Sequence, residues 1–193
     1  MVHHRGSNVV CVPTSLQAKQ LIRKHKLILS DLEETPVLDV AFDGADEFDS
    51  NKVLIKGGGA CLTQEKIVAS CAQKLIIITD FTKQSNHLGE KWKKGIPLEV
   101  LPMACSSVSK RIQEEFGGKA VVRPAGSSKA GPVVTDNGLI IIDWMFDDKK
   151  QYDWKKVDEQ LNCIPGVLSN GLFVGMTSEI FVGEENGSVS RFS

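Results

Sequence analysis

Two rhythms of apolar and polar residues divide the chain. In the first half, short apolar runs alternate with helical spacing. Residues 8–12 read as a strand, Pro13-Thr14-Ser15 supplies helix-start chemistry, and Leu16, Leu21 and Ile22 mark one face of a helix to about His25. Residues 27–29 predict a second strand, and residues 37–42 a third that ends at Asp43. A helix over 62–72 is expected to turn Ile67, Val68 and Cys71 to one side. Residues 75–79, Leu-Ile-Ile-Ile-Thr, are apolar on both faces, the pattern of a buried parallel strand. Alternating β and α of this kind predicts a doubly wound, mostly parallel sheet.

Beyond Gly95-Ile96-Pro97 the rhythm changes. The order is strand 98–101, helix 108–116 closed by Gly117-Gly118, strand 120–123, a Gly/Ser/Pro-rich loop over 125–132, and strand 139–144 after the turn Asp136-Asn137-Gly138. A helix over 154–164 and a strand over 167–173 complete β-α-β-β-α-β, the order of a ferredoxin-like α+β unit. The expected fold is therefore α/β with an inserted ferredoxin-like domain. Residues 1–97 form a Rossmann-like catalytic domain, 98–175 the insert, and 176–193 a hairpin around Asn186-Gly187 that rejoins the first sheet.

Composition narrows the function classes. With 193 residues, 41% hydrophobic and 24% charged, the chain is an ordinary globular protein, and a net charge of −1 gives no electrostatic reason to expect nucleic acid or an anionic membrane. No apolar run reaches the ~20 residues of a membrane span. Residues 1–8 are polar and lack the apolar core of a signal peptide, so a cytoplasmic protein is expected. The five cysteines stand at irregular spacing without a C-x-x-C pair, which argues against a disulfide framework or a zinc site. His3, His4, His25 and His87 assemble no metal site by spacing.

The candidate chemistry lies between Asp43 and Lys83. Asp43 and Asp46 follow the end of one apolar strand and Lys83 the end of another, and open α/β sheets bind ligands outside the carboxyl ends of their strands. Lys56 precedes Gly57-Gly58-Gly59, where backbone N–H groups can approach an anion, although neither a P-loop nor a dinucleotide fingerprint is present. Glu65 stands at the start of the next helix. Singly, these are a polar turn, a flexible turn and a solvated helix residue. Together they match one demand: moving a sugar carbonyl from C1 to C2 needs a carboxylate base, donors for an enediolate and acids for the hydroxyls, with no metal or organic cofactor.

Asp43-Gly44-Ala45-Asp46-Glu47, Leu54-Ile55-Lys56-Gly57-Gly58-Gly59, Leu62-Thr63-Gln64-Glu65-Lys66 and Pro97-Leu98-Glu99-Val100-Leu101-Pro102-Met103 strongly resemble ribose-5-phosphate isomerase of the A type, the animal members above all. Gly131-Pro132-Val133-Val134-Thr135-Asp136-Asn137-Gly138 and Ile164-Pro165-Gly166-Val167 continue the resemblance in register. It implies interconversion of ribose 5-phosphate and ribulose 5-phosphate in the non-oxidative pentose phosphate pathway. Glu65 would be the general base, while Asp43, Asp46, Lys56 and Lys83 bind sugar and stabilise the enediolate. The backbone of Gly44-Ala45 and Gly57–Gly59 would line the pocket, and the second domain would cover it in a homodimer or higher homo-oligomer.

The family places a helix, a strand and a glycine-serine-threonine loop for the 5-phosphate upstream of the strand at Val9, where this chain has only residues 1–8. The first domain is thus expected to be truncated, with Thr14 and Ser15 left to meet the phosphate. The alternatives are a non-catalytic sugar-phosphate-binding module and an inactive short form.

Overall fold

The structure, a computed structural model, describes residues 9–193 apart from the side chain of Ser128. The polar stretch 1–8, with His3 and His4, lies outside the described residues. Strand β1 (Val10–Cys11) leads through helix α1 (Leu16–Lys24) to β2 (Ile28–Leu29), which pairs with β1 in parallel. Ser15 caps α1 by accepting from Ala18 N–H at 3.0 Å, and Arg23 and Lys24 in the last turn suit the negative end of the helix dipole. Next come β3 (Ala41–Asp43), β4 (Glu47–Phe48), β5 (Leu54–Ile55), α2 (Leu62–Cys71) and β6 (Leu75–Asp80). The α+β run follows as β7 (Ile96–Val100), α3 (Cys105–Phe116), β8 (Lys119–Val122), β9 (Ile140–Met145), α4 (Trp154–Asn162) and β10 (Val167–Asn170). The chain closes with β11 (Leu172–Phe173), β12 (Thr177–Gly183) and β13 (Val189–Phe192).

The sheet β10-β7-β9-β8 is antiparallel throughout, in the order expected of a ferredoxin-like unit. The sheet β13-β12-β6-β3 holds parallel β3–β6 and β6–β12 pairs, with β13 antiparallel to β12 at its edge. Between them lies the small antiparallel ladder β11-β5-β4. Successive strand residues face opposite ways. Ile55 and Leu172 therefore enter the core that holds Trp144, Ile112 and Leu98, while Leu54 and Phe173 enter the one that holds Ile77, Phe48 and Ile180. The β5–β11 ladder is the seam between two hydrophobic cores, and Lys56 is the residue that leaves it.

Several elements depart from the sequence pattern. The strand expected over 37–42 is only Ala41–Asp43; Val37 is exposed and Leu38 makes a single bridge to Ala72. On α2 the buried residues are Leu62, Thr63, Val68 and Ala69, which rotates Ile67 out to solvent. β6 is buried at Leu75 and Ile77, but Ile78 is 58% exposed on the other face, beside exposed Phe42 of β3. The strand expected over 167–173 breaks at Gly171. Its N–H donates to Pro97 O at 2.7 Å and its carbonyl accepts from Lys56 N–H at 2.9 Å, so the chain passes here from one sheet to the next.

Candidate active site

Lys56 is the hub of the site. It emerges from the β5–β11 seam with its side chain only 3% exposed. Its Nζ donates to Gly44 O at 2.6 Å and stands 2.9 Å from Asp43 Oδ2 and 3.2 Å from Glu65 Oε2. Phe173, fully buried, supports it from below: the Lys56 ammonium lies 5.3 Å from the ring centroid, and that of Lys66 5.0 Å from the same ring. A buried ammonium costs several kcal/mol of desolvation unless it is paired, and here two carboxylates and a carbonyl offset that cost.

Each partner is set by its element. Asp43 ends β3, and its Oδ1 accepts from Gly44 N–H at 2.8 Å. Glu65 sits in the first turn of α2, where unpaired N–H groups favour a carboxylate. Burial pushes the Glu65 carboxyl above the ordinary glutamate range; the Lys56 charge opposes that shift and the Asp43 charge adds to it. Asp46 accepts from Gly58 N–H at 2.7 Å. Burial raises its pKa too, against the pull of that N–H and of Lys56, Arg123 and Lys83.

The glycines are needed for approach. A Cβ on Gly58 would lie 2.6 Å from Asp46 Oδ1 and 2.9 Å from Trp92, and Gly57 has a φ of +104° with Leu62 crowding the space a side chain would fill. Nothing crowds Gly59, which faces open space.

Asp43, Gly44, Ala45, Asp46, Lys56, Gly57, Gly58, Gly59 and Glu65 together line one open cavity of about 220 Å³. That is below the usual size of a drug-sized ligand site and suits a smaller polar molecule. Three carboxylates and one ammonium line it, which favours a polyhydroxylated chain over a multiply charged anion. A larger cavity of about 710 Å³, between Asp49, His87, Asp148 and Trp154, lies away from this chemistry.

The remaining expected residues are not brought into that cavity. Lys83 closes the single turn Phe81–Lys83 after β6, near enough to Asp46 to act on it through charge but outside the lining. Thr14 and Ser15 are also outside it. Ser15 Oγ is committed to Ala18 N–H, and Leu16 N–H donates to Asp136 Oδ2 at 2.8 Å, so a carboxylate already occupies the N-terminus of α1.

Other residues at or near the site were not singled out from the sequence. Phe173 was read only as a strand residue, and Arg123, which donates to both Gly57 O and Gly58 O, only as a strand end. Glu47 is fully buried and accepts from Ser85 Oγ and from the N–H groups of Gly89 and Lys91 at 2.6–2.7 Å, with Trp92 N–H at 3.3 Å, wiring the 85–92 loop to β4. Its place beside Asp46 in a polar run was the only signal.

The arrangement sets a raised carboxyl beside an ammonium, with N–H donors and further acids on the same small wall. Comparison with known proteins identifies the family of the chain. The family model of ribose 5-phosphate isomerase A (phosphoriboisomerase A) matches residues 10–187. Ribose-5-phosphate isomerases of Sus scrofa and Homo sapiens are each 51% identical to the chain over 189 residues, 98% of its length. The chain spans about three fifths of those relatives, 61% and 60%. A D-ribose-5-phosphate isomerase structure in complex with phospho-erythronic acid superimposes with a TM-score of 0.90 at 40% identity, covering 97% of this chain and 79% of that one. The ribose 5-phosphate isomerase A structure from Methanocaldococcus jannaschii gives a TM-score of 0.85 at 42% identity, covering 94% of this chain and 77% of that one. The chain belongs to the ribose 5-phosphate isomerase A family.

Proposed function

We propose that this chain interconverts ribose 5-phosphate and ribulose 5-phosphate through an enediolate, with Glu65 as the base and Lys56 as the electrostatic stabiliser. The observation that carries the reading is the buried Lys56 ammonium held between the Asp43 and Glu65 carboxylates in a glycine-walled cavity. The Glu65 carboxylate takes the proton from C2 of the open-chain aldose. The C–H electron pair becomes the C1–C2 double bond, and the carbonyl pair moves onto O1, facing Lys56. The Glu65 carboxyl then returns its proton to C1 while the O2 proton passes to O1, leaving the carbonyl at C2.

A carboxyl held above its usual range is a better proton acceptor, and the ammonium favours the charge that develops on oxygen. Asp43 and Asp46 accept from the sugar hydroxyls, and the Gly57–Gly59 backbone packs along the chain of carbons. Lys83, outside the cavity lining but close enough to act on Asp46 through charge, would meet the phosphate, and Thr14 and Ser15 lie outside the lining too. The ferredoxin-like run, proposed as a separate domain over 98–175, covers the glycine wall. Homo-oligomer formation and residence in the cytoplasm belong to the same reading; among the described residues no helix is long and apolar enough to cross a membrane.

Incubation of the chain with ribose 5-phosphate, with ketose followed by circular dichroism, tests this. Turnover that disappears in Glu65→Gln supports it. Tight binding without turnover selects the non-catalytic module, and neither binding nor turnover selects the inactive short form.

A further inference from the structure

Arg123 reaches the glycine wall from the antiparallel sheet. Its backbone continues β8, donating to Ile141 O at 2.8 Å and accepting from Val133 N–H at 2.9 Å. Its side chain is 15% exposed and makes a two-point pair with Asp143 of β9, Nε to Oδ2 at 2.8 Å and Nη2 to Oδ1 at 2.5 Å. The remaining nitrogen, Nη1, donates to Gly57 O at 2.9 Å and to Gly58 O at 3.1 Å. A guanidinium offers donors in a fixed plane, so pairing one edge with Asp143 fixes where the other points. A lysine has no such plane.

Two consecutive peptide planes are held by this contact. A trans peptide directs its N–H away from its C=O. With Gly57 O on Arg123, the Gly58 N–H is turned to Asp46, where it is observed. With Gly58 O on Arg123, the Gly59 N–H is turned the same way, and no protein acceptor takes it among the described residues. Glycines without a side chain would otherwise sample many orientations here.

We propose that Arg123 is a positioning residue for the reaction, fixing the Gly57–Gly59 peptide planes so that Gly58 N–H orients Asp46 and Gly59 N–H faces a substrate oxygen. This rests on the isomerase reading above. It also ties the site to the antiparallel sheet: the loop has its working shape only while Arg123 and Asp143 are seated on it.

The test compares Arg123→Lys and Arg123→Gln with the unaltered chain by ribose 5-phosphate kinetics and by amide hydrogen exchange at Gly58. The expected result is a kcat lower by roughly tenfold or more with KM within about threefold, and Gly58 exchange faster by at least roughly tenfold, in the lysine variant as well. Arg123→Lys keeps the charge beside Asp143, and so answers the question if the glutamine variant fails to fold. Unchanged Gly58 exchange in a folded variant overturns the proposal, and so does faster exchange with unchanged kcat. If the unaltered chain itself converts no ribose 5-phosphate, the isomerase reading falls, and the exchange measurement still decides whether Arg123 positions the loop.

Discussion

Gly171 and Lys56 are in backbone contact so close that a Cβ on Gly171 would lie 2.2 Å from the Lys56 carbonyl oxygen. The same two residues share a hydrogen bond, Lys56 N–H to Gly171 O at 2.9 Å. The catalytic candidate is thus placed by the crossing of β5 with the β10–β11 break, where the two cores meet, and not by its own loop.

Gly171→Ala should therefore cost about 1–3 kcal/mol, because backbone must move on both sides. For a chain of this size each kcal/mol lowers Tm by about 2–4 °C. A melting curve checks it; an unchanged Tm would mean that the crossing is slack.

The raised Glu65 carboxyl has two consequences for pH. With Glu65 as the proposed base, activity would need its carboxylate, so the acid limb of kcat/KM should lie above 4.5, the ordinary value for glutamate. For stability the sign is opposite. A folded-state pKa above the unfolded one contributes stability that is fully present below 4.5 and is lost as pH rises through the folded value. Glu65→Gln should then melt no lower than the unaltered protein at neutral pH, with any advantage shrinking as pH falls toward 4.5. Melting at a series of pH values checks this; a neutral-pH loss of stability in the variant would contradict it.

Glu47 should matter as much to stability as any residue outside the cores. Glu47→Gln replaces a carboxylate that serves four donors by an amide that cannot accept at one end, at a cost of about 3 kcal/mol. Hydrogen exchange should quicken first at Gly89, Lys91 and Trp92, before global unfolding.

Phe42 and Ile78 lie on one face of neighbouring strands at 60% and 58% exposure, an apolar patch open to other molecules. Phe42→Thr with Ile78→Thr should raise the concentration at which the protein stays monodisperse, with Tm changed by no more than a few degrees. Light scattering on a concentration series checks it.

The parts of the site that were legible are those carried by strand ends and helix starts. Asp43, Lys56 and Glu65 each follow a pattern visible within ten residues, and a sheet gathers such positions at one edge. Arg123 was not legible, because its approach to Gly57 depends on how β8 and β9 lie in the antiparallel sheet, 66 residues along the chain. The outward turn of Ile67 was missed because α2 is buried through the adjacent pairs Leu62–Thr63 and Val68–Ala69, a register that one apolar stripe does not reveal. Helix-start chemistry at Thr14-Ser15 was legible, but it reads the same whether the helix meets a ligand or, as here, the carboxylate of Asp136.

The central claim is that Glu65 moves the proton between C2 and C1. Conversion of ribose 5-phosphate in D₂O, followed by NMR at C1 of the ketose, tests it most directly. The account expects, with the unaltered chain, C1 of the ketose to carry protium transferred from C2, deuterium entering only as far as the Glu65 carboxyl exchanges with solvent before returning it, and in Glu65→Gln a loss of turnover of at least roughly 100-fold with sugar-phosphate binding retained. Ketose formation by Glu65→Gln at the unaltered rate, with the same protium and deuterium at C1, would contradict it.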